Sequence, residues 1–553
     1  MAKKKNENTL SYLQMPLPSG GKYSKMTKVS FGGLNKRYAL DSGSLTMESN
    51  ISTNEYPHIT PSERKIEVLD EYSNPISMFA FDDFLIVIYR KNGAVLIDYI
   101  TADEDVYTGT LKSSDATEDD DVPRSIVQFN VYDTPTDPIS GKFVKKLLIF
   151  PDKKSMDFEI TKDNFEIKDM SVLIKTYKND TEPYLPPDTA SHNYYYRNTS
   201  TEAQEADTLY GSAIYKWVDD ESDNENSGWK ISIPPTMPDL KYATVHLSRV
   251  FGVDGDRVYA SGYNDYTNWN LDTIDEYNES NSWCSPSQSN TKASGKFTGI
   301  TTFQGHVICF KRDFMHEIYN TKNPFRLTDI YAEGSIDNRT IQDVDGKLIF
   351  VSEDDVKIYT GSNPRIIGYN LNMSQYEYAV SGTDNRNYYL YCEDTKENKY
   401  LYVYDTYTEL WSEQSITDRV VSFAHNKNGM YMLCADGIVY KMDTNDYLHE
   451  WSFETDLVTN KTVNIKHIKK LQMLVDVAKN ANMKVYILYD DEEFDENKSH
   501  LVYSSNGKRG KFPIRVKPRN TANYGFKLHF EGAGYVKLYE LEIFIEAGGD
   551  MYV

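Results

Sequence analysis

Short hairpin turns recur along this chain, and they constrain its fold more than any other feature of the sequence. Strand-like runs flank residues 91–93 (Lys-Asn-Gly), and Asp-Gly pairs end at Gly255, Gly346 and Gly437. A tight hairpin needs positive φ at its central residues, and Asn, Asp and Gly adopt that conformation most readily. The 44 tyrosines and 23 phenylalanines favour strands. Together these features predict an all-β fold.

The spacing of the turns indicates a repeated unit. Gly255 and Gly346 are 91 residues apart, and Gly346 and Gly437 are again 91 residues apart. Further turn signals lie between them, at residues 304–305 and 385–387. The implied unit of about 40 to 50 residues is typical of the four-stranded blade of a β-propeller.

The repeats divide the chain into predicted segments. We count roughly five blades between residues 240 and 455 and two between 72 and 170, which predicts a β-propeller of six to eight blades. The predicted segments are an extended N-terminal arm (1–60), the first propeller blades (61–174), an inserted loop-rich segment (175–238), the remaining propeller blades (239–458) and a C-terminal β-sandwich (459–553).

The two ends of the chain differ in pattern. Residues 1–60 are polar, contain Gly-Gly pairs and prolines, and show neither a helical nor a strand period, so we expect an extended arm that a neighbouring molecule orders. In residues 459–553 apolar side chains alternate, for example over 483–489, which predicts half-buried antiparallel strands. Residues 468–480 also match a helical stripe, but the flanking Tyr and β-branched residues favour a strand.

Two runs carry an aspartate followed by a tryptophan. Asp405 precedes Trp411, and Asp443 precedes Trp451. An aspartate that accepts a hydrogen bond from the backbone N–H two residues later forms a compact turn. The tryptophan that follows can pack between neighbouring blades, so both pairs are predicted to mark blade ends.

Charge and composition exclude several classes of protein. The formal net charge is −23, which argues against a protein that grips nucleic acid, because such binding needs clustered Lys and Arg. It fits a solvated acidic surface or a conduit along which DNA slides without sticking. The longest apolar runs, such as 84–89, are too short to cross a bilayer, and no apolar stretch of a secretory signal follows the N-terminal lysines. Four cysteines without short spacings predict free thiols that are mostly buried.

No catalytic motif is recognised in the sequence. It contains no HExxH, GxSxG, P-loop or dinucleotide-binding pattern, and its ten histidines are scattered. His306 and His316 flank strand-like text, where a hydrogen-bonded or exposed histidine is more common than a metal ligand. Carboxylate pairs for glycoside hydrolysis are possible among 83 acidic residues, but chance supplies many of them. We therefore predict no enzymatic activity, no cofactor and no metal site.

Three motifs have both a functional and a structural interpretation. Residues 343–346 and 254–256 resemble the start of a calcium loop, but neither continues to the terminal Glu, which favours ordinary hairpin turns. Residues 261–269 approach the Asp box of sialidase propellers, but the Asp is misplaced and the Gly is missing. Exposed Tyr and Trp on loops and on the C-terminal segment could also stack on sugars, which leaves glycan recognition open.

Two segments resemble a known family. Residues 249–261 (Arg-Val-Phe-Gly-Val-Asp-Gly-Asp-Arg-Val-Tyr-Ala-Ser), followed by Asn268-Trp269, and residues 297–319, from Phe-Thr-Gly-Ile through Cys-Phe-Lys-Arg to His-Glu-Ile-Tyr, resemble recurrent segments of phage structural propellers. The N-terminal residues 32–57 are similar as well, with Gly-Gly-Leu-Asn near their start and Tyr-Pro at their end. The chain resembles packaged-DNA stabilisation proteins, or tail nozzle and hub proteins, of short-tailed phages.

This resemblance implies a virion protein that assembles in the host cytoplasm. It implies a ring, expected to be a homohexamer, that continues and closes the DNA channel below the portal–adaptor complex and contacts other tail proteins. Genomic DNA would pass its lumen without specific binding, and no catalytic residue is implied. The alternatives are a receptor-binding tail protein that recognises a cell-surface glycan and, third, a propeller glycosidase.

Two acidic clusters are candidates for the lining of the DNA channel. A solvated outer loop is the competing interpretation for both. The candidate residues are Glu118, Asp119, Asp120, Asp121, Asp219, Asp220 and Glu221.

Overall fold

The structure is a computed structural model, and it describes most of the chain. The described residues are 24–29, 31–37, 43–70, 72–112, 123–133, 142–170, 194–196, 214–218, 228–232, 237–269, 282–288, 295–330, 332–373, 375–459, 465–490, 492–506, 510–518 and 523–547. Within these described residues, no helix is long and apolar enough to cross a membrane.

Almost all regular structure is β-strand, as the sequence predicts. In the first half the strands are Ser24–Val29 (β1), Leu45–Ser49 (β2), Ile51–Ser52 (β3), Thr60–Pro61 (β4), Ile66–Leu69 (β5), Pro75–Phe81 (β6), Phe84–Lys91 (β7), Ala94–Ile100 (β8), Val106–Lys112 (β9), Ser125–Asp133 (β10), Lys142–Phe150 (β11), Lys154–Asp157 (β12), Lys168–Asp169 (β13), Tyr194–Tyr196 (β14), Ile214–Val218 (β15), Gly228–Ser232 (β16), Tyr242–His246 (β17), Arg249–Asp254 (β18), Arg257–Ala260 (β19) and Trp283–Cys284 (β20).

The second half continues in the same way, with short 3-10 helices at Asn338–Thr340 and Gly368–Leu371. Its strands are Gly299–Phe303 (β21), His306–Phe310 (β22), Met315–Ile318 (β23), Leu327–Ile330 (β24), Gln342–Val344 (β25), Lys347–Val351 (β26), Val356–Tyr359 (β27), Arg365–Ile366 (β28), Tyr378–Thr383 (β29), Asn387–Glu393 (β30), Lys399–Asp405 (β31), Leu410–Gln414 (β32), Val420–Asn426 (β33), Gly429–Cys434 (β34), Val439–Lys441 (β35), Glu450–Thr455 (β36), Lys466–Val477 (β37), Asn482–Tyr489 (β38), His500–Asn506 (β39), Gly510–Val516 (β40), Phe526–Ala533 (β41) and Val536–Ala547 (β42).

The chain divides into two compact units. Unit 1 contains residues 1–85 and 339–553, and unit 2 contains residues 86–338. Unit 2 includes the small sheet β14-β15-β16, which is the described part of the predicted insertion at 175–238 apart from residues 237–238.

Seven four-stranded sheets of similar topology follow one another along the chain. Six of them have their strands in chain order: β6–β9, β10–β13, β17–β20, β21–β24, β25–β28 and β29–β32. The seventh has the order β33-β34-β35-β5. The last four sheets begin at residues 299, 342, 378 and 420, so their spacing is 36 to 43 residues.

Strand β5 completes the seventh sheet although it lies far away in sequence. It pairs antiparallel with β35, with Ile66 opposite Lys441 and Leu69 opposite Val439. Strand β33 of the same sheet lies against β6, the first strand of the first sheet. There the Ser422 hydroxyl donates to the carbonyl of Met78 at 3.0 Å. Within unit 1, the last of the seven sheets therefore contacts the first strand of the first sheet and contains a strand from before it.

Two larger sheets of unit 1 share one apolar core, and we call them the paired sheets. Their strand orders are β1-β42-β37-β40 and β2-β36-β41-β38-β39. The buried cluster between them includes Phe453, Val475, Phe530 and Leu541. The rings of Phe453 and Phe530 stack with their centroids 4.5 Å apart and their planes at 12°.

The N-terminal segment contributes to the paired sheets. Strand β1 pairs with β42 and β2 pairs with β36, so strands of the same chain order these residues, where the sequence predicted an extended arm ordered by a neighbouring molecule. The missing strand period has a physical reason, because short strands at a sheet edge need only one row of backbone hydrogen bonds and tolerate any side-chain pattern. Phe31 and Leu45 nevertheless reach the core of these sheets.

The predicted turns have the predicted backbone conformation. Positive φ is found at Asn92, Gly255, Gly346 and Gly437. The 91-residue spacing, however, does not connect equivalent positions, because Gly255 and Gly437 lie in the second hairpin of their sheets and Gly346 lies in the first. Since any tight hairpin selects the same residues, turn chemistry alone cannot distinguish one hairpin of a sheet from the next.

The predicted turn forms at Asp405, whereas Trp451 lies outside the seven four-stranded sheets. Asp405 accepts the N–H of Tyr407 at 2.9 Å, and the Trp411 indole donates to the carbonyl of Ile367, which follows the preceding sheet. Trp451 instead lies in β36 of the paired sheets. Its indole donates to Gly534 at 2.9 Å. The two contexts look alike in sequence because a buried Trp on a strand needs the same apolar neighbours in either sheet.

The ambiguous segment at 468–480 is a strand over most of its length. Strand β37 covers Lys466–Val477, and its side chains are buried in alternation, with Leu471, Met473 and Val475 facing the core. The strand interpretation is therefore confirmed. The four cysteines are free thiols, and all except the half-buried Cys284 are buried.

Candidate functional site

The acidic residues predicted as channel candidates lie outside the described residues. This applies to both clusters, and the prediction stays a prediction. The residues concerned are Glu118, Asp119, Asp120, Asp121, Asp219, Asp220 and Glu221.

The loops that resemble calcium loops are hairpin turns. Asp343 accepts the N–H of Gly346 at 3.0 Å and thereby closes the turn between β25 and β26. Asp256 accepts a hydrogen bond from the hydroxyl of Ser287. Across the described part of the chain, no three His, Cys, Asp or Glu side chains are grouped so that they could hold a metal ion.

The histidines near residue 310 are each hydrogen-bonded to a carboxylate. Nδ1 of His306 lies 2.6 Å from Glu317, and Nδ1 of His316 lies 3.1 Å from Asp329. Burial lowers the pKa of His316 despite the opposing effect of Asp329. These contacts agree with the structural interpretation of both residues.

The loop that resembles an Asp box is a local turn. The carboxylate of Asp265 accepts from the N–H of Thr267 at 2.9 Å and from its hydroxyl at 2.6 Å. Trp269 is buried, and its indole donates to the carbonyl of Tyr266. The carboxylate thus orders its own loop.

Unit 1 contains a buried pair of glutamates. Lys36 forms an ion pair with Glu413 at 2.8 Å and donates to the hydroxyl of Tyr402 at 2.9 Å. Glu48 accepts the backbone N–H of Glu413 at 3.3 Å, and burial raises the pKa of Glu48 well above its ordinary value. Glu48 is only 4% exposed, whereas the side chain of Glu413 is 18% exposed.

A charged cluster in the paired sheets surrounds His529. The imidazole is 2% exposed and stacks on Phe494 with the ring centroids 3.7 Å apart. Its nitrogens lie 3.7 Å from Glu454 and 3.8 Å from Glu531. Lys527 forms an ion pair with Glu454 at 2.9 Å.

This cluster predicts an acid-dependent loss of stability. Burial acts to raise the pKa of Glu454, but nearby His529 and the hydrogen-bonded Lys527 outweigh it and hold the pKa below its ordinary value of 4.5. A carboxylate with a lowered folded-state pKa stabilises the fold above its ordinary pKa, and that stability is lost as the pH falls through the folded-state pKa. We expect Glu454→Gln to reduce the fall in thermal midpoint between about pH 5 and pH 3.

A variant on the same strand is the matched control. Glu450 is exposed, so Glu450→Gln should leave the pH dependence of the thermal midpoint as in the wild type. If both variants follow the wild-type curve, the Glu454 cluster does not contribute to acid stability.

A polar cavity of about 160 Å³ lies in unit 1. Its walls come from residues 51–55 and 60–63 of the N-terminal segment, from strands β30, β31 and β32, and from residues 442–447 after β35. Four carboxylates line it, at Glu55, Glu63, Asp384 and Asp443.

Two of these carboxylates lie near the same phenol. Asp384 accepts the N–H of Asn387 at 2.6 Å and the hydroxyl of Tyr389 at 2.9 Å, and Asp443 accepts the N–H of Met430 at 3.0 Å. Burial raises the pKa of Tyr389, and the charges of Asp384 and Asp443 raise it further. Asp384 and Asp443 therefore lie near each other, at the end of the cavity that Tyr389 lines.

The other two carboxylates are engaged at their own positions. Glu55 forms an ion pair with Lys537, and Glu63 accepts the N–H of Asn445 at 2.7 Å. Tyr447 lies near both, and burial followed by their charges raises its pKa.

Two buried oxygen atoms of the cavity wall lack a hydrogen-bond partner among the described residues. They are Oδ1 of Asn387 and Oγ of Ser62, whose residues are 3% and 5% exposed. Buried polar atoms in folded proteins are nearly always hydrogen-bonded to protein or to ordered solvent. These two oxygens therefore remain available as acceptors for ordered water or a polar ligand.

Sequence reasoning did not find this cavity. Ser62, Asp384 and Asp443 come from three distant parts of the chain, and no spacing rule connects them. The one local signal was the turn at 385–387, which was noted only for its shape. Neither the models of known protein families nor the curated protein sequences contain a match to this chain.

Proposed function

We propose that this chain is a seven-bladed β-propeller with a C-terminal β-sandwich, and that it is a structural component of a bacteriophage tail. In this role it forms a ring, as a homohexamer, below the portal–adaptor complex. The ring continues and closes the DNA channel, contacts other tail proteins and has no catalytic activity. It is assembled in the host cytoplasm and remains in the tail of the virion.

The position of β5 carries the propeller part of this proposal. In a propeller, each four-stranded blade packs against the next around an axis, and the last blade must meet the first. A strand from before the first blade that completes the last one holds such a ring closed. Residues 66–69 have this relation to residues 439–441, and β6 contacts β33 beside them.

Several features support a passive channel role. A net charge of −23 favours repulsion between the protein and phosphate, which keeps DNA from sticking. The segments that resemble phage propellers, 249–261 and 297–319, form consecutive strands of two neighbouring sheets in the order of the chain. The resemblance therefore concerns whole hairpins of the repeat.

Exposed aromatic side chains support assembly with partner molecules. Tyr and Phe are enriched at protein interfaces, since they bury a large area with few rotatable bonds. On the described surface such residues are Phe143, Tyr263, Tyr319, Tyr369, Tyr407 and Tyr524, which are 51% to 64% exposed.

Negative-stain electron microscopy tests the proposal. The purified chain is mixed with the portal and adaptor proteins encoded in the same genome, and the complexes are imaged. We expect a closed ring that extends the portal axis, with an open or plugged channel. Single discs that never join the portal–adaptor complex would contradict the tail role. Glycan arrays would then test the receptor-binding alternative.

A further inference from the structure

The polar cavity of unit 1 has the properties of a cation site. The described residues that line it include four carboxylates but no Lys, Arg or His. Asp384 is held by neutral donors, namely two backbone N–H groups, the amide of Asn387 and the hydroxyl of Tyr389. Asp443 accepts the N–H of Met430. The guanidinium of Arg386, which does not line the cavity, is paired with Asp405 and interacts with Asp384 through its charge.

The unpartnered oxygens are an independent observation. Oδ1 of Asn387 and Oγ of Ser62 belong to the same cavity wall and are buried without a hydrogen-bond partner among the described residues. The Asn387 amide nitrogen is already used, because it donates to Asp384 at 2.9 Å. Its carbonyl oxygen is therefore left as an acceptor for an occupant of the cavity.

We propose that this cavity binds one hydrated divalent cation of the Mg²⁺ or Ca²⁺ type, with Asp384 and Asp443 supplying the charge and Asn387 Oδ1 and Ser62 Oγ the further oxygen contacts. Hard cations prefer oxygen ligands, and this wall offers carboxylate, amide and hydroxyl oxygens. Among the described lining residues there is no His or Cys for a softer metal, and the one sulfur is the thioether of Met442.

The size of the cavity explains why the ion keeps water. About 160 Å³ is far more space than a bare ion needs. No three acidic, His or Cys side chains of the described chain are grouped around one point, so the protein supplies only part of the coordination shell. Mg²⁺ in particular retains several waters in such sites.

The bound ion would connect the N-terminal segment to the last two of the seven four-stranded sheets. Ser62 follows β4, Asp384 and Asn387 lie at the turn between β29 and β30, and Asp443 follows β35. Ser62 is more than three hundred residues away from Asp384 and Asp443 in the sequence. Such an ion would stabilise the fold of unit 1, whether or not the chain belongs to a phage tail.

Terbium luminescence on the full-length protein tests the site. Tb³⁺ prefers oxygen ligands, and its emission is sensitised by nearby tyrosines such as Tyr389 and Tyr447, which line the cavity. The protein is first stripped with a chelator and then titrated with Tb³⁺. Ca²⁺ and Mg²⁺ are added in competition, and the thermal midpoint is measured with and without each ion.

Asp443→Asn is the main variant, since the new amide oxygen can still accept the N–H of Met430. We expect it to bind the competing cation about tenfold more weakly, because affinity in oxygen sites follows the number of charged ligands. Asp394→Asn is the matched control, because Asp394 also accepts backbone N–H groups in a turn but does not line the cavity.

A second variant keeps the test decisive if Asp443→Asn does not fold. Ser62→Ala removes the unpartnered hydroxyl, so it should fold normally and show a smaller cation-dependent rise in thermal midpoint than the wild type. The proposal is overturned if Ca²⁺ and Mg²⁺ neither displace Tb³⁺ nor raise the thermal midpoint of the wild type. It is equally overturned if Asp443→Asn and Asp394→Asn bind alike, and the cavity then holds water only.

Discussion

Gly437→Ala is expected to destabilise unit 1 by roughly 2 to 5 kcal/mol. Gly437 lies in the turn between β34 and β35 with φ of +91°, a conformation that costs an L-residue free energy. A Cβ at this position would also collide with the carbonyl oxygen of Tyr72, which belongs to the connection between β5 and β6. The substitution therefore strains the junction where β5 joins the seventh sheet.

A second glycine in the same unit provides the control. Gly346 has φ of +73°, but a Cβ there would meet no atom within 4 Å. Gly346→Ala should therefore carry only the conformational cost of about 1 kcal/mol. Thermal and denaturant midpoints of both variants measure the difference, and hydrogen exchange locates it. Equal shifts for the two variants would mean that the junction at Tyr72 adjusts without cost.

Phe453→Ala is expected to destabilise the paired sheets by about 3 to 5 kcal/mol. Phe453 is 1% exposed, stacks on Phe530 and touches Phe31 of the N-terminal segment edge to face. Its removal loses apolar burial and leaves a cavity between two sheets, which the neighbouring strands cannot fill by small shifts. The thermal midpoint of the paired sheets measures the effect, with hydrogen exchange on β36 and β41 to assign it.

Tyr524→Ala is the control for this substitution. Tyr524 is 55% exposed at the end of the loop before β41, so its removal should change stability by no more than about 0.5 kcal/mol. If Phe453→Ala were no more destabilising than Tyr524→Ala, β36 would not belong to the core of the paired sheets.

Gly437 and Phe453 each lie where distant parts of the chain meet in unit 1. Gly437 is at the place where residues 66–72 meet residues 437–441, and Phe453 is at the place where residues 31–49 meet the paired sheets. The first joins the segment before the seven sheets to the last of these sheets, and the second joins the N-terminal segment to the paired sheets. A cation in the polar cavity would add a third connection between the same regions.

Local features of the sequence determined the strands and many turns of this protein. Alternating apolar residues, as in β38, specify a half-buried strand because side chains on a strand point to opposite faces. Asn92 and Gly437 specify turns because positive φ is a property of single residues. Asp405 specified its own turn because its hydrogen bond reaches only to residue 407.

Only the tertiary structure decided which strands pair and which side chains converge. Backbone hydrogen bonding at a sheet edge carries no sequence code, so nothing in residues 66–69 announces a partner at 439–441. For the same reason Trp451 could not be assigned to its sheet. The cavity joins Ser62 to Asp384 and Asp443 across more than three hundred residues. Such convergence arises from the packing of whole sheets, whose energy is spread over many contacts and is invisible in a local sequence pattern.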